Sequence, residues 1–180
     1  LKRFVSALPE GLQVRLVVPD LVRHERRYRM LTDLSQLAAS IRPLIRSLNV
    51  DVEFSREAVE TAVDRTIEGV YRDLHLESFH PDWSRTKWDD IVNAAVYRRP
   101  PFEAKGEKGF RDQVVIETAR QCADMLDDSE VVLVTRDKTM AEGARRQLAG
   151  LTHARVFVGP DAWEDFATDV AGGIDAQGVR

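Results

Sequence analysis

The segment Val131-Val-Leu-Val-Thr-Arg-Asp137 constrains this chain more than any other. Apolar and β-branched residues run together there and stop at a charged pair. β-Branched side chains pack well on a pleated surface and crowd a helix. A continuous apolar run, unlike an alternating one, predicts a strand covered on both faces, which is the habit of parallel sheets. Parallel strands need long crossovers, usually helices.

The rest of the chain supplies them. Leu1–Leu8 reads as a helix that stops at Pro9-Glu-Gly11, and Val14–Val18 as a buried strand between Gly11 and Pro19. From Asp20 a long helix is expected, with Met30, Leu34, Leu37, Ile41, Leu44, Ile45 and Leu48 on one apolar face and Pro43 kinking or ending it. Val50–Phe54 is a candidate short strand. Ser55 suits an N-cap, with Ala62, Val63, Ile67 and Val70 as the stripe that follows. His80-Pro-Asp82 marks a turn, Trp88–Tyr97 another helix, and Arg98-Arg-Pro-Pro101 a loop, continuing loop-like through Glu103–Gly109. Phe110–Leu126 and Asp137–Leu148 read as helices, Arg155–Val158 as a strand and Asp161–Val170 as a last helix.

Alternating strands and helices predict an α/β protein, a three-layer α/β/α sandwich around a central parallel sheet. One domain is expected over residues 1–171, with a helical insert at about 55–97 and a flexible C-terminal tail at 172–180. The 180 residues are enough to bury a core without staples.

Charge and composition narrow the function. With 26 Lys and Arg against 30 Asp and Glu, the net charge is −4, which argues against coating nucleic acid by bulk attraction. A local acidic site stays open, because a bound cation reverses the field around it. Cys122 stands alone, so no internal disulfide forms, which suits a reducing compartment and the cytoplasm. No signal peptide is recognisable, and the longest apolar runs are too short to cross a bilayer. His24, His75, His80 and His153 show no zinc spacing with one another or with Cys122. Neither a glycine-rich phosphate loop nor a Gly-x-Ser-x-Gly elbow occurs. Trp83 and Trp88 flank a turn; they could stack on bases, but core packing or a partner surface is the plainer role.

In open parallel sheets ligands bind beyond the carboxyl ends of the strands. Asp137 follows such an end, though an Asp there also serves as the N-cap of the next helix. Asp112 heads an otherwise apolar stripe, Val115, Ile116, Ala119, Cys122, Ala123 and Leu126; its plain role is to complement a helix dipole. Glu25 shares a helix face with Leu21 and Tyr28, and its plain role is a salt bridge to Arg29 at i+4. Converging carboxylates are unfavourable unless a cation holds them, and hard ions such as Mg²⁺ prefer oxygen ligands. Together the three acids point to a metal site for phosphoryl chemistry.

These residues resemble a known family. Val18-Pro-Asp-Leu-Val-Arg-His-Glu25 is similar to the strand-to-helix passage that carries the second acid of PIN domains. Arg99-Pro-Pro-Phe102 followed by Lys108-Gly-Phe-Arg-Asp112 is similar to the stretch of one PIN subfamily that bears the third. Val132-Leu-Val-Thr-Arg-Asp137 resembles the strand and acid that supply the fourth. The resemblance covers roughly Pro9 to Val158. Two features depart from it: Leu1-Lys-Arg-Phe-Val-Ser reads as the helix that follows the family's first strand, so that strand and its aspartate either precede this sequence or are lacking, and Lys138-Thr-Met140 replaces an auxiliary acid and an aromatic.

The resemblance implies an endoribonuclease that hydrolyses RNA phosphodiester bonds, with Mg²⁺ or Mn²⁺ held by Glu25, Asp112 and Asp137. A water acidified by the ion would attack phosphorus. Lys105, Lys108, Arg111 and Arg136, beside these acids in sequence, are candidates to hold RNA phosphates. The implied partners are RNA, an antitoxin or other regulatory protein if the chain is a toxin or defence nuclease, and a second copy in a homodimer; no membrane is implied. A catalytically inactive PIN-like binding or scaffold domain is the alternative. A receiver-like regulator ranks below both, since it would carry two acids after its first strand and a lysine after its last.

Overall fold

The computed structural model describes residues 13–48, 55–102, 108–126, 129–159 and 161–177. The helix expected at Leu1–Leu8, the strand expected at Val50–Phe54 and the candidate residue Lys105 lie outside them. Contacts divide the chain into two compact units, one spanning Arg15–Phe79 and the other holding all described residues from His80 onward.

The Arg15–Phe79 unit contains β1 (Leu16–Pro19), α1 (Asp20–Ser47), α2 (Arg56–Asp73) and β2 (Leu76–Phe79). The two strands pair in parallel, Leu16 opposite Leu76 through Pro19 opposite Phe79. Arg15 holds Glu77 with two hydrogen bonds of 2.9 and 2.5 Å. β2 falls within the stretch read from sequence as helical. Its four residues are too few to show a period, and His75, with φ 48°, turns the chain out of α2 just before it. Ser55 caps α2 as expected, accepting a hydrogen bond from the Ala58 N–H at 3.1 Å, and Val63 and Ile67 are buried. Arg27 grips Asp64 across the helix pair at 2.6 and 3.1 Å.

α1 departs from expectation in two ways. It runs 28 residues and passes through Pro43 rather than ending there. Pro43 has no N–H to give to the carbonyl four residues back, yet it is exposed, where water can satisfy that group. No residue of α1 is buried, and Leu34, Leu37, Leu44 and Leu48 of the apolar face are exposed.

The second unit contains a 3₁₀ turn (Trp83–Arg85), α3 (Trp88–Val96), α4 (Phe110–Met125), β3 (Val131–Thr135), α5 (Lys138–Leu148), β4 (Ala154–Val158) and α6 (Ala162–Gln177). β3 and β4 are parallel, Val131 opposite Ala154 through Thr135 opposite Val158. The predicted class holds: this is an α/β chain with parallel strands. Among the described residues, however, the strands form two separate two-stranded ladders rather than one central sheet. β3 is correspondingly half-buried along its length instead of fully covered. The core joins Ile116 and Ala119 of α4 to Met140, Ala144 and Leu148 of α5, with Val131, Leu133 and Val156 against them. α6 continues past Val170 to Gln177, through Gly172-Gly173. Each glycine there costs about 1 kcal/mol of helix propensity relative to Ala, which helix formation absorbs.

α4 is the most deeply set helix. Its apolar stripe is buried, but so are Gln113, Glu117 and Gln121, spaced four apart and 1–3% exposed. Each has a partner. Gln113 and Gln147 exchange side-chain amide hydrogen bonds at 2.8 and 2.7 Å. Gln121 clamps the backbone of Asp82, accepting from its N–H at 2.7 Å and donating to its carbonyl at 2.9 Å. Glu117 accepts from Thr86 at 3.2 Å, from Gln121 at 2.7 Å and from Arg120 at 2.9 and 2.6 Å. Burial pushes the Glu117 carboxyl up, but the hydrogen bonds from Arg120 and Gln121, the Arg120 charge and Thr86 outweigh it and hold the group below its ordinary range.

A carboxyl whose native pKa is depressed stabilises the fold above its unfolded value and loses that contribution as pH falls through the native one. Glu117→Gln is therefore expected to flatten the acid limb of stability below about pH 4.5, measured by urea unfolding against pH. Glu117→Ala removes the acceptor shared by Thr86, Gln121 and Arg120, but Asp124 still pairs with Arg120 at 2.6 Å, so it should cost about 1–3 kcal/mol.

Candidate active site

Asp137 stands two residues beyond the end of β3. Its side chain accepts from the Met140 N–H at 2.9 Å, and its own N–H donates to the Thr135 hydroxyl at 3.1 Å. The capping role weighed from sequence is thus realised, with the carboxylate exposed. Arg136 and Lys138 beside it are exposed as well.

Asp112 lies in the first turn of α4 and is half-buried. Gly109 is the N-cap and offers no side chain to the orphan N–H groups, so an acid in this turn complements the positive end of the helix. Lys108 and Arg111, flanking it in sequence, are exposed.

A loop fixes where α4 begins. Gly109 has φ 116°, and a Cβ there would stand 2.5 Å from the Pro101 oxygen and 2.7 Å from the Phe102 Cα. Gly143, inside α5, faces the same loop: a Cβ would stand 2.7 Å from the Pro101 nitrogen and 2.9 Å from the Pro100 carbonyl carbon. Pro101 and Phe102 are buried. The Arg99-Pro-Pro-Phe102 segment is therefore wedged against the start of α4 and the middle of α5, and the Gln113–Gln147 pair ties the same two helices. In this way the helix that carries Asp112 and the helix that Asp137 caps are held to a common loop.

Glu25 belongs to the other unit. It is half-buried on α1 and pairs with Arg29 at 2.5 Å, the i+4 contact weighed from sequence. Among the described residues, no group of three or more His, Cys, Asp or Glu side chains is placed to hold a metal ion. Asp112 and Asp137 share one unit, and Glu25 lies in the other.

A family model for the PIN domain matches residues 1–140. The chain belongs to the PIN domain family. No curated protein and no solved structure matches it. The PIN match takes in Glu25, Asp112 and Asp137 and closes at Met140, short of the Val158 to which the motifs extended the likeness. PIN domains are α/β proteins, generally nucleases, and usually employ divalent metals.

Two features of this region go beyond what the sequence showed. Gln113, Glu117 and Gln121 recur every four residues, a pattern that reads as a solvated face. Trp83, Trp88 and Phe110 line one shallow hollow in the second unit, floored by Ile91, Val114 and the buried Glu117.

Two substitutions test these assignments. Asp137→Ala should cost about 1 kcal/mol through the lost cap, whereas Asp137→Asn, which caps as well, should leave chemical-denaturation midpoints nearly unchanged. Gly143→Ala forces its methyl group into the Pro100–Pro101 backbone and should cost about 1–3 kcal/mol by the same measurement.

Proposed function

We propose that this PIN domain is a metal-dependent endoribonuclease whose acidic site includes Glu25, Asp112 and Asp137. The observation that carries the reading is the PIN match over the stretch containing all three acids, with Asp137 just past the carboxyl end of β3 and Asp112 in the first turn of α4. The donor chemistry fits: carboxylate oxygens suit hard divalent ions, and the Asp137 cap engages one of its two oxygens. Mg²⁺ or Mn²⁺ held there would supply Lewis-acid chemistry for phosphodiester hydrolysis. Arg111, Arg136, Lys105 and Lys108 would hold backbone phosphates on either side of the scissile bond. The buried loop at Pro101–Phe102 would keep Asp112 fixed while substrate enters, since preorganised charge needs no rearrangement during reaction. A role as toxin or defence nuclease is consistent with such an activity, and a regulatory protein such as an antitoxin would then be its partner.

A binding or scaffold role is the second reading, favoured by the structural duties already held by two of the acids, Asp137 as the cap of α5 and Glu25 as the partner of Arg29. Cleavage of a fluorescent single-stranded RNA separates the two. The nuclease reading expects cleavage that requires Mg²⁺ or Mn²⁺ and stops with EDTA. It also expects Asp112→Asn to lower the rate by roughly a hundredfold or more, the scale of losing one electrostatic stabiliser, with the circular dichroism spectrum unchanged. Equal cleavage by that variant would defeat the reading. So would calorimetry in which Mn²⁺ binding is indifferent to Asp137→Ala.

A further inference from the structure

We infer that Thr135 and Met140 are positioning residues for Asp137: the Thr135 hydroxyl and the Met140 thioether close a hydrogen-bonded circuit that fixes how this carboxylate is presented. The inference rests on the nuclease reading for the ion that Asp137 would hold. Its geometry lies within the second unit.

Three printed contacts make the circuit, each feeding the next. Asp137 Oδ1 accepts from the Met140 N–H at 2.9 Å. The Asp137 N–H donates to Thr135 Oγ1 at 3.1 Å. Thr135 Oγ1 donates in turn to Met140 Sδ at 3.4 Å. A hydroxyl has one proton and two lone pairs. Here the sulfur takes the proton and the Asp137 N–H takes a lone pair, so one setting of the hydroxyl satisfies both.

The circuit is anchored on two sides. The Thr135 carbonyl accepts from the Gly159 N–H at 3.1 Å, which ties it to the end of β4. Met140 is buried and packs with Ile116, Ala119, Ala144 and Leu148. Asp137 is the exposed member of the three. Any shift of its backbone or its cap would break a bond to a neighbour that is itself held. The cap engages one carboxylate oxygen and leaves the other for an ion. A thioether is a soft ligand, whereas Mg²⁺ and Mn²⁺ prefer oxygen, so Met140 acts on the site through Thr135 and not on the ion. A leucine would fill nearly the same volume in the core, so packing alone does not call for the sulfur.

The test titrates the full chain with Mn²⁺ by calorimetry and measures urea midpoints alongside. Thr135→Val keeps the shape and loses the hydroxyl; it is expected to bind Mn²⁺ about tenfold more weakly, the scale of removing a group that orients a metal ligand. Thr135→Ser, which keeps the hydroxyl, should bind as wild type does. Met140→Leu should weaken binding about two- to fivefold, the scale of one weak hydrogen bond. Added to Thr135→Val it should cost nothing more, because the sulfur then has no hydroxyl to hold. Unchanged Mn²⁺ affinity in Thr135→Val, with binding lost in Asp137→Ala, overturns the positioning roles and leaves the nuclease reading intact. A Met140→Leu loss of equal size in both backgrounds also overturns the circuit, because it assigns the sulfur to packing. Mn²⁺ that binds wild type and Asp137→Ala alike, or neither, sinks the nuclease reading and the positioning roles together.

Discussion

The second unit is organised by a polar seam where a sequence reader expects water. Gln113, Glu117 and Gln121 run along one side of α4, and all three are enclosed. An unsatisfied buried amide or carboxylate would cost more than a whole hydrogen bond returns. The helix can lie there only because each group finds a fixed counterpart: Gln147 on α5, Thr86 and Arg120, and the backbone of Asp82. These contacts are directional, whereas the apolar contacts of Ile116 and Ala119 are not. They therefore set the rotation of α4 about its axis. Rotation in turn decides that Asp112 sits half-buried at the helix start and that Phe110 turns outward.

The same economy appears at Asp137. One residue ends the β3 connection, starts α5 and presents an exposed charge beyond a strand's carboxyl end. Capping fixes the backbone, so the carboxylate's position comes from the helix and not from a loop. Asp112 is treated differently. Its helix begins at a glycine, and its position comes from the wedge of Pro101 and Phe102 beneath.

Much of this was legible in the sequence, and the failures have physical reasons. The β-branched run Val131–Thr135, the cap at Ser55 and the cap at Asp137 all express short-range rules, and each appears where those rules put it. β2 was missed because Leu76-Glu-Ser-Phe79 is set by pairing with β1, some 60 residues earlier, and carries no period of its own. The exposed leucines of α1 show the opposite case: Leu34, Leu37 and Leu44 have a helical period, but period does not dictate cover. The polar seam was invisible because hydrophobicity patterns assign Gln and Glu to solvent, and only their partners reveal otherwise. For the site, residue types and order could be read, while the burial and partners of each acid depend on tertiary placement that no motif encodes.

The glycine inside α5 has a meaning for descent. A helix interior normally disfavours Gly, so its presence at position 143 records the shape of something outside that helix, namely the double proline pressed against it. The two features form a lock in which neither half can drift alone. Relatives that keep both prolines should keep this glycine, and lineages that replace it should have remodelled Arg99–Phe102 at the same time.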